Sequence, residues 1–114
     1  AEVVTLDPDT AHPKLTVSPD GRSVSYGSNR RNLPDTPERF NYWCCVLGRE
    51  SFREGRHCWE VEVEGEEGGS SWWAVGVASK SVDKRGSLDL CPQNGVWAVG
   101  DCEGQFEALT DPRT

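Results

Sequence analysis

The chain has 114 residues, with 12 Lys and Arg against 19 Asp and Glu, and a formal net charge of −7. That length suits one small domain rather than two, and the charge argues against a generic nucleic-acid or anionic-membrane surface, because a phosphate backbone would be repelled overall. No apolar run approaches the roughly 20 residues that cross a bilayer, and the opening AEVVTLDPDT lacks the basic and apolar regions of a signal peptide, so the sequence reads as soluble.

Taken in chain order, short apolar alternations separated by Gly, Pro, Asn and Asp recur, and no window carries a helical stripe. The expectation is an all-β chain. "KLTVSPDGRSVSY" places Leu15 and Val17 before the turn signal Ser18-Pro19-Asp20-Gly21, then Val24 and Tyr26 after it, the pattern of a hairpin. "GSNRRNLPDTPERF", residues 27–40, is rich in Gly, Asn and Pro and predicts a long surface loop with solvated charges. "FNYWCCVLG", residues 40–48, is a strand candidate.

"GRHCWEVEVEG", residues 55–65, predicts another strand, with Trp59, Val61 and Val63 on a buried face and Cys58, Glu60, Glu62 and Glu64 on the other. A row of Glu on the outer face is a solvated surface that also discourages edge pairing. "EGEEGGSS" reads as a loop. "WWAVGVASKS" is a strand with Trp73, Val75 and Val77 on one side and Trp72, Ala74, Gly76 and Ala78 on the other, where small residues leave room for a further layer. "SVDKRG" is a polar loop, and "LDLCPQNGVWAVG" supplies a Pro-Gln-Asn-Gly turn and a strand with Trp97 and Val99. A last short strand is expected around Phe106 to Leu109, and most of the five Trp are expected in the core.

The residues offer little chemistry. Five cysteines (Cys44, Cys45, Cys58, Cys91 and Cys102) form no C-x-x-C pair, which points to reduced cytosolic thiols rather than a disulfide framework or a zinc site. His57 and Cys58 are adjacent and point to opposite sides of a strand, which disfavours a metal cluster. A pairing of His12 with Cys45 or Cys58 is open in principle, but nothing local lowers a thiol pKa. The Glu row does not supply the two different carboxyl environments that a glycosidase needs. The chain is therefore expected to be no enzyme and to use no metal or cofactor.

The motifs "LDPDTAHPKLTVSPDGRSVSYG", "FNYWCCVLGRESFREGRHCWEVEVEG", "WWAVGVASKSVDKRG" and "NGVWAVG", in that order, resemble the PRY-SPRY or B30.2 domain along essentially the whole chain. The nearest likeness is to the intracellular domain of butyrophilins, and next to tripartite-motif ubiquitin ligases. The resemblance implies a bent antiparallel β-sandwich, a concanavalin-like jelly roll, acting as a non-catalytic binding module through variable loops. It divides one domain into 1–50, the PRY segment and first SPRY strands, and 51–114, the N-terminal part of SPRY. The family's Leu-Asp-Tyr-Glu strand and the C-terminal strands after it are absent, so the expectation is a fragment of a cleaved or truncated domain whose complement is a second polypeptide supplying those strands, or is simply unseen.

The resemblance also carries a ligand test. One butyrophilin subgroup holds isoprenoid pyrophosphates in a basic pocket, whose His and Tyr fall here on Trp43 and Cys44. Its Lys falls on Asp89 and one Arg on Glu107, while Arg113 keeps a cation. Carboxylates at Asp89 and Glu107 repel a pyrophosphate, so the expected ligand is a protein or peptide with basic and apolar groups, met by Trp43, Cys44, Asp89, Glu107 and Arg113. Arg30, Arg31, Lys84 and Arg85, in loops 27–32 and 81–86, form the expected rim. A cytoplasmic interaction module in immune regulation is the first reading, as part of a butyrophilin-like membrane protein or as the targeting module of a ubiquitin ligase. A small anionic-ligand sensor using Arg113 is the second, and a hydrolase using the Glu row is a distant third. No nucleic acid and no direct membrane contact are expected.

Overall fold

In the computed structural model, which describes residues 2–27, 29–64 and 72–114, every strand pairing is antiparallel. The all-β expectation holds, in sheets that do not close among the described residues. No helix there is long and apolar enough to cross a membrane. The described residues form two units, residues 2–27, 29–60 and 84–87, and residues 61–64, 72–83 and 88–114.

The first unit is built from short strands tied by side chains. Strand β1 (Leu6–Asp7) leads into a 3-10 turn, Pro8–Thr10, because Asp7 caps it: its carboxylate accepts the Asp9 N–H at 3.0 Å, and Pro8 has no N–H to satisfy. The Thr10 hydroxyl donates to the Asp7 carbonyl at 2.8 Å and accepts the Leu47 N–H at 2.9 Å. That link sets β1 beside β4 (Leu47–Gly48), with Leu6 opposite Gly48. Strands β2 (Leu15–Val17) and β3 (Val24–Tyr26) form the predicted hairpin, Leu15 facing Tyr26 and Val17 facing Val24. Gly21, at φ 72°, takes the left-handed position in its turn. The core of this unit comes from two stretches, Thr10–Pro13 with Leu15, and Arg39–Phe40.

Two strand expectations fail here. Of residues 40–48 only Leu47–Gly48 is strand, because the Asn41 N–H goes to the Lys84 carbonyl and the Cys45 N–H to the Trp43 carbonyl. Residues 55–64 form no strand, and Val61 and Val63 are exposed rather than buried. No described neighbour offers a ladder to them, and alternation alone does not fix a face without a partner strand. Trp59 is half-buried, its ring stacked on Phe52 at 5.5 Å. The Glu row, Glu60, Glu62 and Glu64, lies exposed as expected. The loop expected at residues 64–71 falls, beyond Glu64, outside the described residues.

The second unit is a meander of β5 (Trp72–Ala78), β6 (Val96–Cys102) and β7 (Gln105–Ala108). The predicted Pro-Gln-Asn-Gly turn is a 3-10 turn, Pro92–Asn94, closed by Gly95 in the left-handed region. A two-residue turn joins β6 to β7, with Glu103 and Gly104 both at positive φ and the Gly104 N–H donated to the Asp101 carboxylate at 2.8 Å. Gly76 and Gly100 serve a purpose other than admitting a further layer. A Cβ on Gly76 would run into the Trp97 carbonyl oxygen, and one on Gly100 into that of Trp73. It is the neighbouring strand of the same sheet that comes close.

One face of this sheet gathers Trp73, Val75, Val77, Trp97, Val99 and Phe106 by register. Most of that face is open: Trp97 is 51% and Phe106 66% exposed. The expectation that most Trp are core is overturned, since Trp72 and Trp97 are exposed and Trp43, Trp59 and Trp73 only half-buried. A sheet covers such a face only when a second layer packs on it, and the described residues leave Trp97 and Phe106 largely uncovered.

Candidate functional site

Residues 29–41 have almost no regular structure, yet they are fixed. The Arg39 side chain, expected to be solvated, is 6% exposed. Its Nε donates to the Pro34 carbonyl at 2.9 Å, and one terminal nitrogen donates to the carbonyls of Ala11 at 2.8 Å and Pro8 at 3.1 Å. A planar guanidinium suits this role because it offers several N–H groups in a fixed fork. Phe40 beside it is buried, and its N–H donates to the Thr10 carbonyl at 3.1 Å.

Arg85 clasps the same stretch from outside. It donates to the Thr36 and Arg39 carbonyls, both at 3.0 Å, and pairs with the Asp35 carboxylate at 2.7 Å. The Gly86 N–H donates to Asn41 Oδ1 at 2.8 Å, and the Lys84 carbonyl accepts the Asn41 N–H at 3.2 Å. Arg85, expected at a rim, is thus engaged in holding the loop.

Between this loop and Pro13 lies an open hollow of about 390 Å³, lined by Pro13, Leu33, Pro34 and Phe40 with Arg30, Arg31 and Arg39. Arg30 and Arg31 are exposed, and the Arg31 N–H is anchored on the Pro13 carbonyl at 2.9 Å. His12, next in sequence to the lining residue Pro13, is buried, and its Nδ1 accepts the Lys14 N–H at 3.0 Å. Burial lowers its pKa first, and the positive charges of Arg30 and Lys14 lower it further. The imidazole is therefore a neutral structural group.

Cys44, and not Cys45 or Cys58, is the thiol against His12, with Sγ 3.7 Å from Nδ1. Cys45 is pushed up to about 11 by burial and by the neighbouring Cys44, so it is a protonated, unreactive thiol. All five cysteines are free, as the spacing predicts. His57 binds the Glu2 carboxylate through Nδ1 at 2.9 Å and the Glu54 carbonyl through Nε2 at 2.8 Å. Two acceptors favour the imidazolium, and its pKa is raised, chiefly by the Glu54 carbonyl and then by Glu2. Among the described residues no group of three His, Cys, Asp or Glu side chains is placed to hold a metal.

The predicted ligand residues divide between the two units. In the first, Trp43 is half-buried and meets Tyr42 edge to face at 5.0 Å, while Cys44 is exposed. In the second, exposed Arg113 donates to the Leu90 carbonyl at 3.3 Å, next to exposed Asp89, whose own carbonyl accepts from Asn94 at 2.8 Å. Glu107 sits half-buried on β7, opposite Gly100. Sequence reasoning passed over Arg39, Phe40 and Asn41. The one signal for them was a bulky aromatic, Phe40, at the end of a polar loop.

The chain matches known proteins along nearly its whole length. Residues 4–52 match the SPRY-associated domain, PRY, and residues 56–114 match the SPRY domain. The chain is 52% identical over 109 residues to mouse (Mus musculus) butyrophilin subfamily 2 member A2, covering 96% of this chain and 20% of that protein. It is 49% identical over 112 residues to mouse erythroid membrane-associated protein, covering 97% of this chain and 19% of the relative. It is also 49% identical over 112 residues to human (Homo sapiens) zinc finger protein RFP, with 97% and 21% covered. The chain spans about a fifth of the length of these relatives. With a family model matching over half of its residues, this chain belongs to the PRY-SPRY family of non-catalytic interaction domains.

Proposed function

We propose that this chain is a ligand-reading module for a protein or peptide, and that it reads through the loop surface of residues 29–41 and its neighbours. The observation that carries this is the loop's fixing: Arg39 and Arg85 hold an irregular backbone in place while Arg30 and Arg31 stay exposed over a hollow. A preorganised loop loses little freedom on binding, and irregular loops on a fixed scaffold are where recognition commonly lies. Trp43 and Cys44 join this surface as ligand contacts, with Lys84 at its edge. Asp89, Glu107 and Arg113, on the other unit, are ligand contacts to be tested singly.

The parent is a butyrophilin-like or tripartite-motif protein with this module in the cytoplasm, acting in immune regulation or choosing targets for a ubiquitin ligase. Likeness to butyrophilins, to a protein named as membrane-associated and to a zinc finger protein supports both parents. A small-anion sensor is the lesser reading, since Asp89 and Glu107 place carboxylates where it needs cations. The open apolar face of β5–β7 supports a second polypeptide that packs against Trp97 and Phe106.

The test is to pan a random peptide library on the immobilised chain. Enrichment of a defined motif, lost on Trp43→Ala or on Arg30→Glu with Arg31→Glu, is expected. A library that enriches nothing overturns the reading.

A further inference from the structure

Resting on the module reading above, we infer that the hollow over Phe40 takes an acidic peptide segment, with carboxylates on Arg30 and Arg31 and an apolar side chain on the floor. Three guanidiniums, those of Arg30, Arg31 and Arg39, line this space against one carboxylate, that of Asp35. The Asp35 charge is already met by Arg85 at 2.7 Å. Arg39 is buried with only carbonyl oxygens as partners, so its positive charge is not cancelled by a described carboxylate. The lining is therefore net positive on a chain whose formal charge is −7. The pKa of neighbouring His12, lowered first by burial, is lowered further by Arg30 and Lys14, in keeping with a positive surround.

The shape sets the rest of the ligand. Pro13, Leu33, Pro34 and Phe40 contribute apolar groups to the same lining as the cations. A volume of about 390 Å³ lies at the low end of small-ligand clefts, enough for a few side chains of a peptide and not for a folded element. Neither exposed guanidinium has a described hydrogen-bond or ion-pair partner to give up on binding. A carboxylate can take the fork of each in turn. A basic ligand would meet the uncancelled charge of three arginines, which is why the partner at this hollow is acidic even though the chain as a whole is acidic too.

The experiment uses the whole 114-residue chain and fluorescein-labelled octapeptides sharing one Pro-Leu frame, carrying two Glu, two Ser, two Lys or two phosphoserines. Binding is read by fluorescence anisotropy at low and physiological salt. The Glu peptide is expected to bind at least about tenfold more tightly than the Ser and Lys peptides. That preference should shrink with salt and disappear in Arg30→Gln with Arg31→Gln, whose exposed side chains can be replaced without unfolding the chain. Preference for the Lys peptide, equal binding of all four, no binding of any, or retention of the Glu preference in the double variant each overturns the inference. A tenfold preference for phosphoserine over Glu also overturns it, in favour of a phosphopeptide. These outcomes are separable from failure of the module reading, because the random library tests that reading without assuming any ligand charge.

Discussion

The loop of residues 29–41 and the sheet of β5–β7 invert the usual link between regular structure and burial. The loop has no strand, yet Phe40 and Arg39 are almost completely buried, and five of its N–H groups, from Arg31, Leu33, Arg39, Phe40 and Asn41, reach carbonyls. The sheet has a full ladder of backbone pairs, yet Val77, Trp97, Val99 and Phe106 remain exposed. A ladder satisfies peptide groups without covering side chains, while a buried guanidinium can satisfy carbonyls and close a loop together. Order in this molecule therefore follows where the polar groups are satisfied, and not where strands are assigned.

Arg39→Ala is expected to have the largest effect. It leaves the Pro8, Ala11 and Pro34 carbonyls without this donor and is expected to cost about 4 kcal/mol in urea unfolding, comparable to losing a buried charged group. On the sheet side, Gly100→Ala forces a Cβ against the Trp73 carbonyl and is expected to cost about 3 kcal/mol in the same assay. Arg85→Ala is expected to cost about 1–2 kcal/mol, since its ion pair with Asp35 is solvent-exposed and its carbonyl bonds carry most of the effect. Phe106→Ser, on the open face, should change stability by only about 0.5 kcal/mol in the same assay.

The smallest effect is a pH dependence. His57 has its pKa raised in the folded chain, so its contribution is fully present below the ordinary histidine value of 6.5 and is lost as pH rises through the folded value. Glu50, lowered chiefly by the Thr5 N–H, works in the opposite sense: its contribution is present above the ordinary value of 4.5 and is lost as pH falls through the folded one. Melting curves of His57→Gln and Glu50→Gln across pH 3–9 check both. The His57 variant should differ from the parent only on the acid side of its transition, and the Glu50 variant only above its own.

The hairpin of residues 15–26 and the turn before β6 were legible because turn residues and β alternation agree there. Strand β5 was legible for its dense Trp and Val pattern. The order of the motifs carried the family. The alternation at Trp59, Val61 and Val63 misled, since a period of two is a face only once a neighbour pairs with it. The loop site was half legible: Arg30 and Arg31 stood out as loop cations, but identical charge at Arg39 gave no hint that it is buried. What separates them is the set of carbonyls from Pro8, Ala11 and Pro34 that only the folded chain brings to one place.

Native-state hydrogen exchange of the whole chain, read amide by amide by NMR, decides whether the loop is as fixed as the sheet. The Arg39, Phe40 and Asn41 amides should exchange with protection comparable to Val99 to Asp101 in β6, the strand paired on both sides. Exchange of those loop amides at the rate of an unfolded chain, while those of β6 stay protected, would show that the loop is not held.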